Sequence, residues 1–449
     1  MKLNLLVKSI VLIPGSGEYV YVVTNGKQGV KLAINNLKQD FPNVKDINIA
    51  ISWYASSLDA KNSFVKPLVL DNQDKASQSP WNVGSFSREY AEKVCFTQFK
   101  SPCSGGTPSD SSITQLVKFL HEQSFKLTFL PLLLVNLPNN NWRGFITPDS
   151  QQSVTKFFQS NGYNDYILHY ATLKDTDNRS LISYFENFII GSELKGLTTY
   201  RDFGAAKFSA VVELINLAEE VKDLSPRVQV SYAANGLGEY HHTDGGLYAL
   251  DDLWCDKNID FIGISAYFSL LEPGIPPNIQ NTFNGFTSGK DADYYMSGNQ
   301  KIYLEGPTWG AKNLKHWWSS FHYENGRKTC YLPETKPVYI LEFGFPSSKL
   351  ALHTPEAFPS IQDIKAGKFI ADNNLQHIGI CAALLFFQSQ NFINKSFLYA
   401  YDARPYNELV AKQSYTDHSL FALGHWFSNK NMQDFECSLP GSDQTYDDL

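Results

Sequence analysis

Apolar residues along this chain follow two rhythms. Nearly uninterrupted apolar runs recur at 9–15 (SIVLIPG), 47–54 (INIAISWY), 126–135 (KLTFLPLLLV) and 184–193 (YFENFIIGSE). They recur again at 228–235 (VQVSYAAN), 259–267 (IDFIGISAY), 337–344 (PVYILEFG) and 378–387 (IGICAALLFF). Each reads as a strand buried on both faces, with Pro131 marking an irregularity in the third. Between them runs a helical rhythm. Val30, Ala33 and Leu37 share one face of 29–41, and Ile113, Leu116, Val117 and Leu120 one face of 112–123. Val211, Leu214, Ile215 and Ala218 do the same in 205–223. The stretch 151–180 is helical with breaks, and a helix near 361–375 separates the last two strands.

Eight buried strands alternating with helices predict an α/β fold, a closed (β/α)8 TIM barrel, over residues 1–390. An open doubly wound sheet is the competing arrangement, and it usually has fewer strands. Residues 391–449, with FLYAYDARPY and FALGHWF, read as an extension packed on the barrel. The loops are unequal. Residues 55–111 follow strand two and 268–336 follow strand six, so long insertions leave the carboxyl ends of two strands, the face where barrel enzymes build their sites. They hold Trp81, Tyr294, Tyr295, Tyr303, Trp309, Trp317 and Trp318, which either line a site or fill the insertions' own small cores.

Composition narrows the function. The chain has 449 residues, 43% hydrophobic, 18% charged and 14% aromatic. The aromatic surplus suits flat or sugar ligands, and equally a large core. A formal net charge of −7 without a basic run argues against a nucleic-acid partner. Six scattered cysteines show no metal-ligand spacing and are expected to be reduced, mostly buried thiols. The apolar start lacks a small-residue cleavage site, so no signal peptide is expected and synthesis is placed in the cytoplasm. No stretch approaches the ~18 apolar residues of a membrane span.

The candidate chemistry lies at strand ends. Glu193 closes the fourth strand and Glu342 the seventh. A lone Glu there often caps a helix or pairs with an Arg. Two such residues facing one another across a barrel mouth are what glycoside hydrolysis requires, one protonating the leaving oxygen and the other acting at the anomeric carbon. Half-desolvation at a strand end also raises a carboxyl pKa into a useful range. Tyr267, ending strand six, either orients Glu342 or is a rim residue. Asn235, ending strand five, and the following Glu239, His241 and His242 are candidates to bind sugar hydroxyls. The adjacent histidines make a poor metal site because they point apart on an extended chain. Trp53 either stacks on a sugar or belongs to the core. GSGEYV (15–20) lacks the third Gly of a dinucleotide loop, and no nucleophile elbow, phosphate loop or HExxH is present. No metal or organic cofactor is expected.

The segments FIIGSELKGLT, VSYAANGLGEY, LWCDKNIDFIGISAY, LKHWWSSFH, KPVYILEFGFP and YDARPYNEL…GHW, with LIPGSGEY, PWNVGSFSR and GGTPSD earlier, resemble the TIM-barrel-like domain of gene transfer agent and phage tail proteins. The resemblance runs from about residue 10 to about 430. It implies a glycoside-hydrolase-like barrel carried with other tail or baseplate proteins in a phage-like particle and directed at a cell-wall glycan. It also implies the layout of clan A retaining glycosidases, with Glu193 as acid/base and Glu342 as nucleophile. Trp53, Asn235 and loop tryptophans such as Trp309 are read from their positions as holding the glycan. That clan usually has Asn before the acid/base, contacting the sugar 2-hydroxyl. Here the residue is Ser192, which reaches through water or faces an N-acetyl group. The alternative is a structural or glycan-binding tail module that has lost turnover. Such proteins are usually longer, which makes this chain a fragment, a split-gene product or a free-standing descendant.

Overall fold

The computed structural model describes residues 1–14, 30–70, 81–96, 104–138, 141–241, 246–272, 274–287, 294–297, 300–303, 312–357, 366–367, 370–403, 424–425, 427 and 432–439. Eight parallel strands close a barrel: β1 (Ser9–Ile13), β2 (Asp46–Ala55), β3 (Lys126–Val135), β4 (Phe185–Ser192), β5 (Gln229–Asn235), β6 (Ile262–Ser265), β7 (Val338–Phe343) and β8 (Ile393–Asp402). Closure comes from β1, which pairs with β2 on one side and β8 on the other. The two-residue strand Val65–Lys66 adds to β2 in the antiparallel sense. Around the barrel lie α1 (Val30–Asp40), α2 (Asp110–Glu122), α3 (Gln151–Gln159), α4 (Tyr163–Thr172), α5 (Ser209–Leu224) and α6 (Asn373–Ser389). The closed barrel and the insertions after β2 and β6 agree with the sequence reading.

Two apolar layers explain why the strands carry no polar face. One cluster draws Val11, Ala50, Leu130, Ile189, Ala233, Tyr339, Leu341 and Phe397 from seven strands, with Phe261 just before β6. With members from all around the ring, it fills the lumen, as packed barrels require. Asn48 crosses that lumen, donating from Nδ2 to the Leu341 carbonyl at 3.1 Å. The larger cluster lies between strands and helices and includes Ile10, Ile49, Phe129, Phe188, Leu214 and Val230.

The eighth strand differs from the expectation. The run 378–387 is helical, inside α6, and the strand is Ile393–Asp402. The barrel therefore extends past residue 390, and the first part of 391–449 is barrel wall. Asp372 caps α6, its side chain accepting from the Leu375 amide. The helix is buried on nearly every side. Phe386 stacks on Phe286 at 4.3 Å, Phe387 meets Phe343 of β7 at 5.3 Å, and Cys381 faces Cys437. A helix covered all round needs no polar stripe, so its periodicity vanishes and a short window reads as a strand. The residues named for 361–365 lie outside the described ones.

The thiols also differ. Cys255 joins Cys330 across 75 residues with Cα atoms 6.2 Å apart, and Cys381 joins Cys437 across 56 residues at 5.8 Å. Both distances suit a disulfide, but partners so far apart leave no spacing signature in a sequence. One bond ties the insertion after β6 to the short helix Asp251–Cys255. The other ties the 432–439 segment to α6. The apolar start is structural: Leu3 and Leu6 are buried, and the Leu3 amide bonds the Phe435 carbonyl at 2.9 Å. No helix among the described residues is long and apolar enough to cross a membrane.

The insertion tryptophans Trp81, Trp317 and Trp318 pack into cores. Trp81 is buried and donates to the Thr107 carbonyl at 2.8 Å. Trp317 packs on Tyr240 and Tyr331, and Trp318 stacks on Phe392 at 4.7 Å. Tyr294, Tyr295 and Tyr303 lie on the hairpin Tyr294–Ser297/Gln300–Tyr303, and Trp309 falls outside the described residues.

Peptide mapping without reductant is expected to recover the Cys255–Cys330 and Cys381–Cys437 pairs. Reduction is expected to lower unfolding stability by roughly 2–5 kcal/mol per bond lost, measured by urea denaturation with and without dithiothreitol.

Candidate active site

Regular pleating would not place both carboxylates at the barrel mouth. In β7, Tyr339 and Leu341 point into the lumen, so strict alternation sends Glu342 outward and Phe343 inward. The register instead slips after Ile340 against both neighbouring strands. Phe343 consequently joins the helix-side cluster, and Glu342 turns to the mouth. In β4 the register slips between Ile189 and Ser192 against β5. Bulges re-aim side chains in this way beside active sites.

Glu193 follows the β4 slip with a left-handed backbone, φ +50°, which costs a non-glycine residue about 1–3 kcal/mol. It is 6% exposed, and its amide bonds the Ala233 carbonyl at 2.8 Å. Its carboxylate takes three donors. Trp142 Nε1 lies 2.8 Å and Arg143 Nη2 2.9 Å from Oε2, and Asn235 Nδ2 lies 3.1 Å from Oε1. Arg143 also donates from Nε to the Ser192 carbonyl at 2.7 Å and from Nη2 to Ser192 Oγ at 2.8 Å. Burial works against the guanidinium's charge, but the negative fields of Glu193 and Glu342 outweigh it, and its pKa stands above the ordinary value.

Trp142 and Arg143 come from one turn after β3, Arg143–Phe145 and its preceding residue. Close glycine contacts shape this turn and join it to the Glu193 segment. A Cβ on Gly144 would strike the Trp142 ring at 2.3 Å, so the indole folds back against its own turn. A Cβ on Gly196 would strike the Ile146 carbonyl at 2.4 Å. Trp142 is half-buried, and Phe145, 58% exposed, stands edge-on to it with centroids 5.3 Å apart.

Glu342 is 4% exposed and has a sparser shell. The Tyr267 hydroxyl donates to its Oε2 at 3.0 Å, and Oε1 has no partner among the described residues. Burial first, then the charge of Glu193, pushes its pKa up to about 7, against the opposing pull of Arg143 and Tyr267. Each carboxylate thus lies within the other's field, and Arg143 faces both.

The remaining candidates separate. Asn235 holds Glu193. Ser192 is buried, and its hydroxyl is engaged by Arg143. Glu239 has no exposed surface and accepts from Thr198 Oγ1 at 2.6 Å, Tyr232 Oη at 2.7 Å and the Asn235 amide at 2.6 Å. Burial raises its pKa to about 7. Glu239 therefore stands behind the mouth, with no free surface for a sugar. His241 is buried between the rings of Tyr240 and Tyr248, and His242 lies outside the described residues. Trp53 points to the helices, stacked on Tyr166 at 5.0 Å and donating to Tyr170 Oη at 3.1 Å, so it is a core residue. Trp142, Arg143 and Phe145 were not among the sequence candidates. The cue was NWRGF, an aromatic–Arg–Gly–aromatic turn shortly after a strand's carboxyl end. Among the described residues no group of three His, Cys, Asp or Glu is placed to hold a metal.

The family model of the GTA TIM-barrel-like domain, the family that the sequence resembles, matches residues 161–301, from the residues before α4 through β6 into its insertion, a shorter stretch than the resemblance spans. A search of curated proteins returned no match. Among solved structures, a GH113 β-1,4-mannanase aligns with a TM-score of 0.55 at 13% identity, over 95% of this chain and 96% of that chain. The GH113 β-mannanase AaManA from Alicyclobacillus acidocaldarius, in complex with ManMIm, aligns with a TM-score of 0.55 at 14% identity, over 95% and 94%. At such identity the likeness shows the shared barrel fold.

The raised Glu342 pKa has a stability consequence. The folded chain holds this proton more tightly than the unfolded one, whose carboxyl keeps its ordinary value. The contribution is fully present below the unfolded value and is lost as pH rises through about 7. Glu342→Gln is therefore expected to gain on wild type by roughly 1–3 kcal/mol between about pH 5 and pH 8, measured by urea denaturation at both pH values.

Proposed function

We propose that this chain is a retaining glycoside hydrolase acting on a cell-wall glycan. The observation that carries the reading is the convergence of Glu193 and Glu342, from β4 and β7, on one mouth where each lies in the other's field and Arg143 faces both. Glu342 is the nucleophile, oriented by Tyr267. Glu193 is the acid/base, aimed by Trp142 and Asn235. The half-buried Trp142 and exposed Phe145 offer an aromatic surface beside Glu193 for the face of a pyranose ring. The chain itself supplies binding, orientation and the two proton-handling groups, as two-carboxylate hydrolysis requires.

The GTA domain match supports a setting in a phage-like tail particle, beside other tail or baseplate proteins. Two disulfides suit action outside the reducing cytosol. A second reading, glycan binding without turnover, is favoured by the ion pair at Glu193, since an acid/base must take up a proton beside Arg143. Retention on cell walls without sugar release would select it.

Glu342→Ala is expected to abolish hydrolysis on a panel of peptidoglycan and β-1,4-mannan. Added azide is expected to restore turnover as a glycosyl azide of inverted configuration; full activity in this variant removes the assignment. Because the first step needs one carboxyl ionised and the other protonated, wild-type kcat/KM is expected to be bell-shaped, with one limb set by the pair near pH 7. A pH–rate profile that is flat through that region contradicts the assigned roles.

A further inference from the structure

We propose that Glu239 is a positioning residue that holds Glu193 in its working geometry through Tyr232 and Asn235. The inference rests on the acid/base role proposed for Glu193. Glu239 lies in the loop after β5, two shells from the mouth, and all three of its neighbours donate to it. The network is therefore built for a carboxylate, which accepts only. Two routes lead from it to Glu193.

The first runs through Tyr232. A phenol has one proton, and here it goes to Glu239 Oε1 at 2.7 Å. The lone pairs then face the other way and accept the Leu194 amide at 2.6 Å. Leu194 follows Glu193, so this bond pins the chain just after the left-handed residue. The second route runs through Asn235, whose amide donates to Glu239 Oε2 at 2.6 Å while its Nδ2 reaches Glu193 Oε1 at 3.1 Å. A third contact, from Thr198 Oγ1, fastens the short helix Lys195–Thr198 that Glu193 leads into. A strained backbone persists only where its surroundings over-determine it, and Glu239 joins the groups that do so. The ionisable groups around Glu239 are Tyr232, Glu193 and Tyr163, with Lys195 donating to the neighbouring Leu237 carbonyl.

Glu239→Gln puts an amide nitrogen against at least one donor, and Glu239→Ala removes all three contacts. Both variants are tested on mannohexaose, whose leaving group needs a proton, and on a 2,4-dinitrophenyl β-mannobioside, whose leaving group does not. Their crystal structures are determined in parallel. The expected kcat for mannohexaose falls on the order of 10²-fold in the alanine variant and less in the glutamine variant, with KM nearly unchanged. Bond cleavage in the dinitrophenyl substrate is expected to fall less than about threefold, since acid assistance contributes little there. In the alanine structure Glu193 is expected to lose its left-handed backbone or its bond to Asn235.

Equal losses on both substrates with Glu193 unmoved, or wild-type kinetics, overturn the proposal. Should the alanine variant fail to fold, Tyr232→Phe removes only the first route, losing the hydroxyl's bonds to Glu239 and to Leu194 while Asn235 and Thr198 stay in place, and is expected to give the same substrate pattern more weakly; its absence is equally adverse. A wild-type chain that hydrolyses neither substrate counts against the glycosidase reading on these glycans. The crystal structures then decide this inference: a displaced Glu193 supports it and an unmoved one overturns it.

Discussion

Two carboxylates buried at one mouth need a counter-charge, and Arg143 provides it. Unpaired, either anion would carry a desolvation cost of several kcal/mol. The guanidinium is fixed to the strand end it serves, by the Ser192 carbonyl and hydroxyl, before it reaches Glu193. This arrangement divides the pair. Glu193 has three donors, while Glu342 has one phenol, and burial beside Glu193 raises its pKa to about 7. The turn carrying Arg143 meets the Glu193 segment where Gly196 lies against the Ile146 and Gly144 carbonyls, so charge and backbone are set together.

The barrel supplies the rigid frame, and departures from its regularity supply the site. β4 and β7 both lose register just before their carboxylates, and Glu193 adds a left-handed backbone. The layer behind the mouth is polar but closed: Glu239, Tyr232, Thr198 and Asn235 satisfy one another and leave only Asn235 to meet Glu193. Elsewhere the barrel is filled with apolar side chains inside and out, which resists movement of the strands that bear the acids.

Much of this was legible from residue order. The eight-fold alternation named the barrel, and the acids ending the fourth and seventh apolar runs named the mouth. Tyr267 was paired with Glu342 from strand adjacency alone, and the structure has that bond. The eighth strand was misread, because α6 is covered on all sides and has no polar stripe. Trp53 sat at a strand end like Asn235, yet parity turns one to the helices and the other to the mouth.

Local pattern thus carries what depends on local physics: the alternation of buried strands with one-faced helices, and which strand ends bear acids. Burial on one face or two writes a period into the chain, and that period can be read. The partners of those acids are another matter. Arg143 meets Glu193 across 50 positions, Tyr267 meets Glu342 across 75, and Cys255 meets Cys330 across 75. Such meetings depend on barrel closure, on single-residue register slips and on how closely a glycine lets two chain segments approach. None of these leaves a period, because each is a relation between distant segments that exists only once the chain is folded.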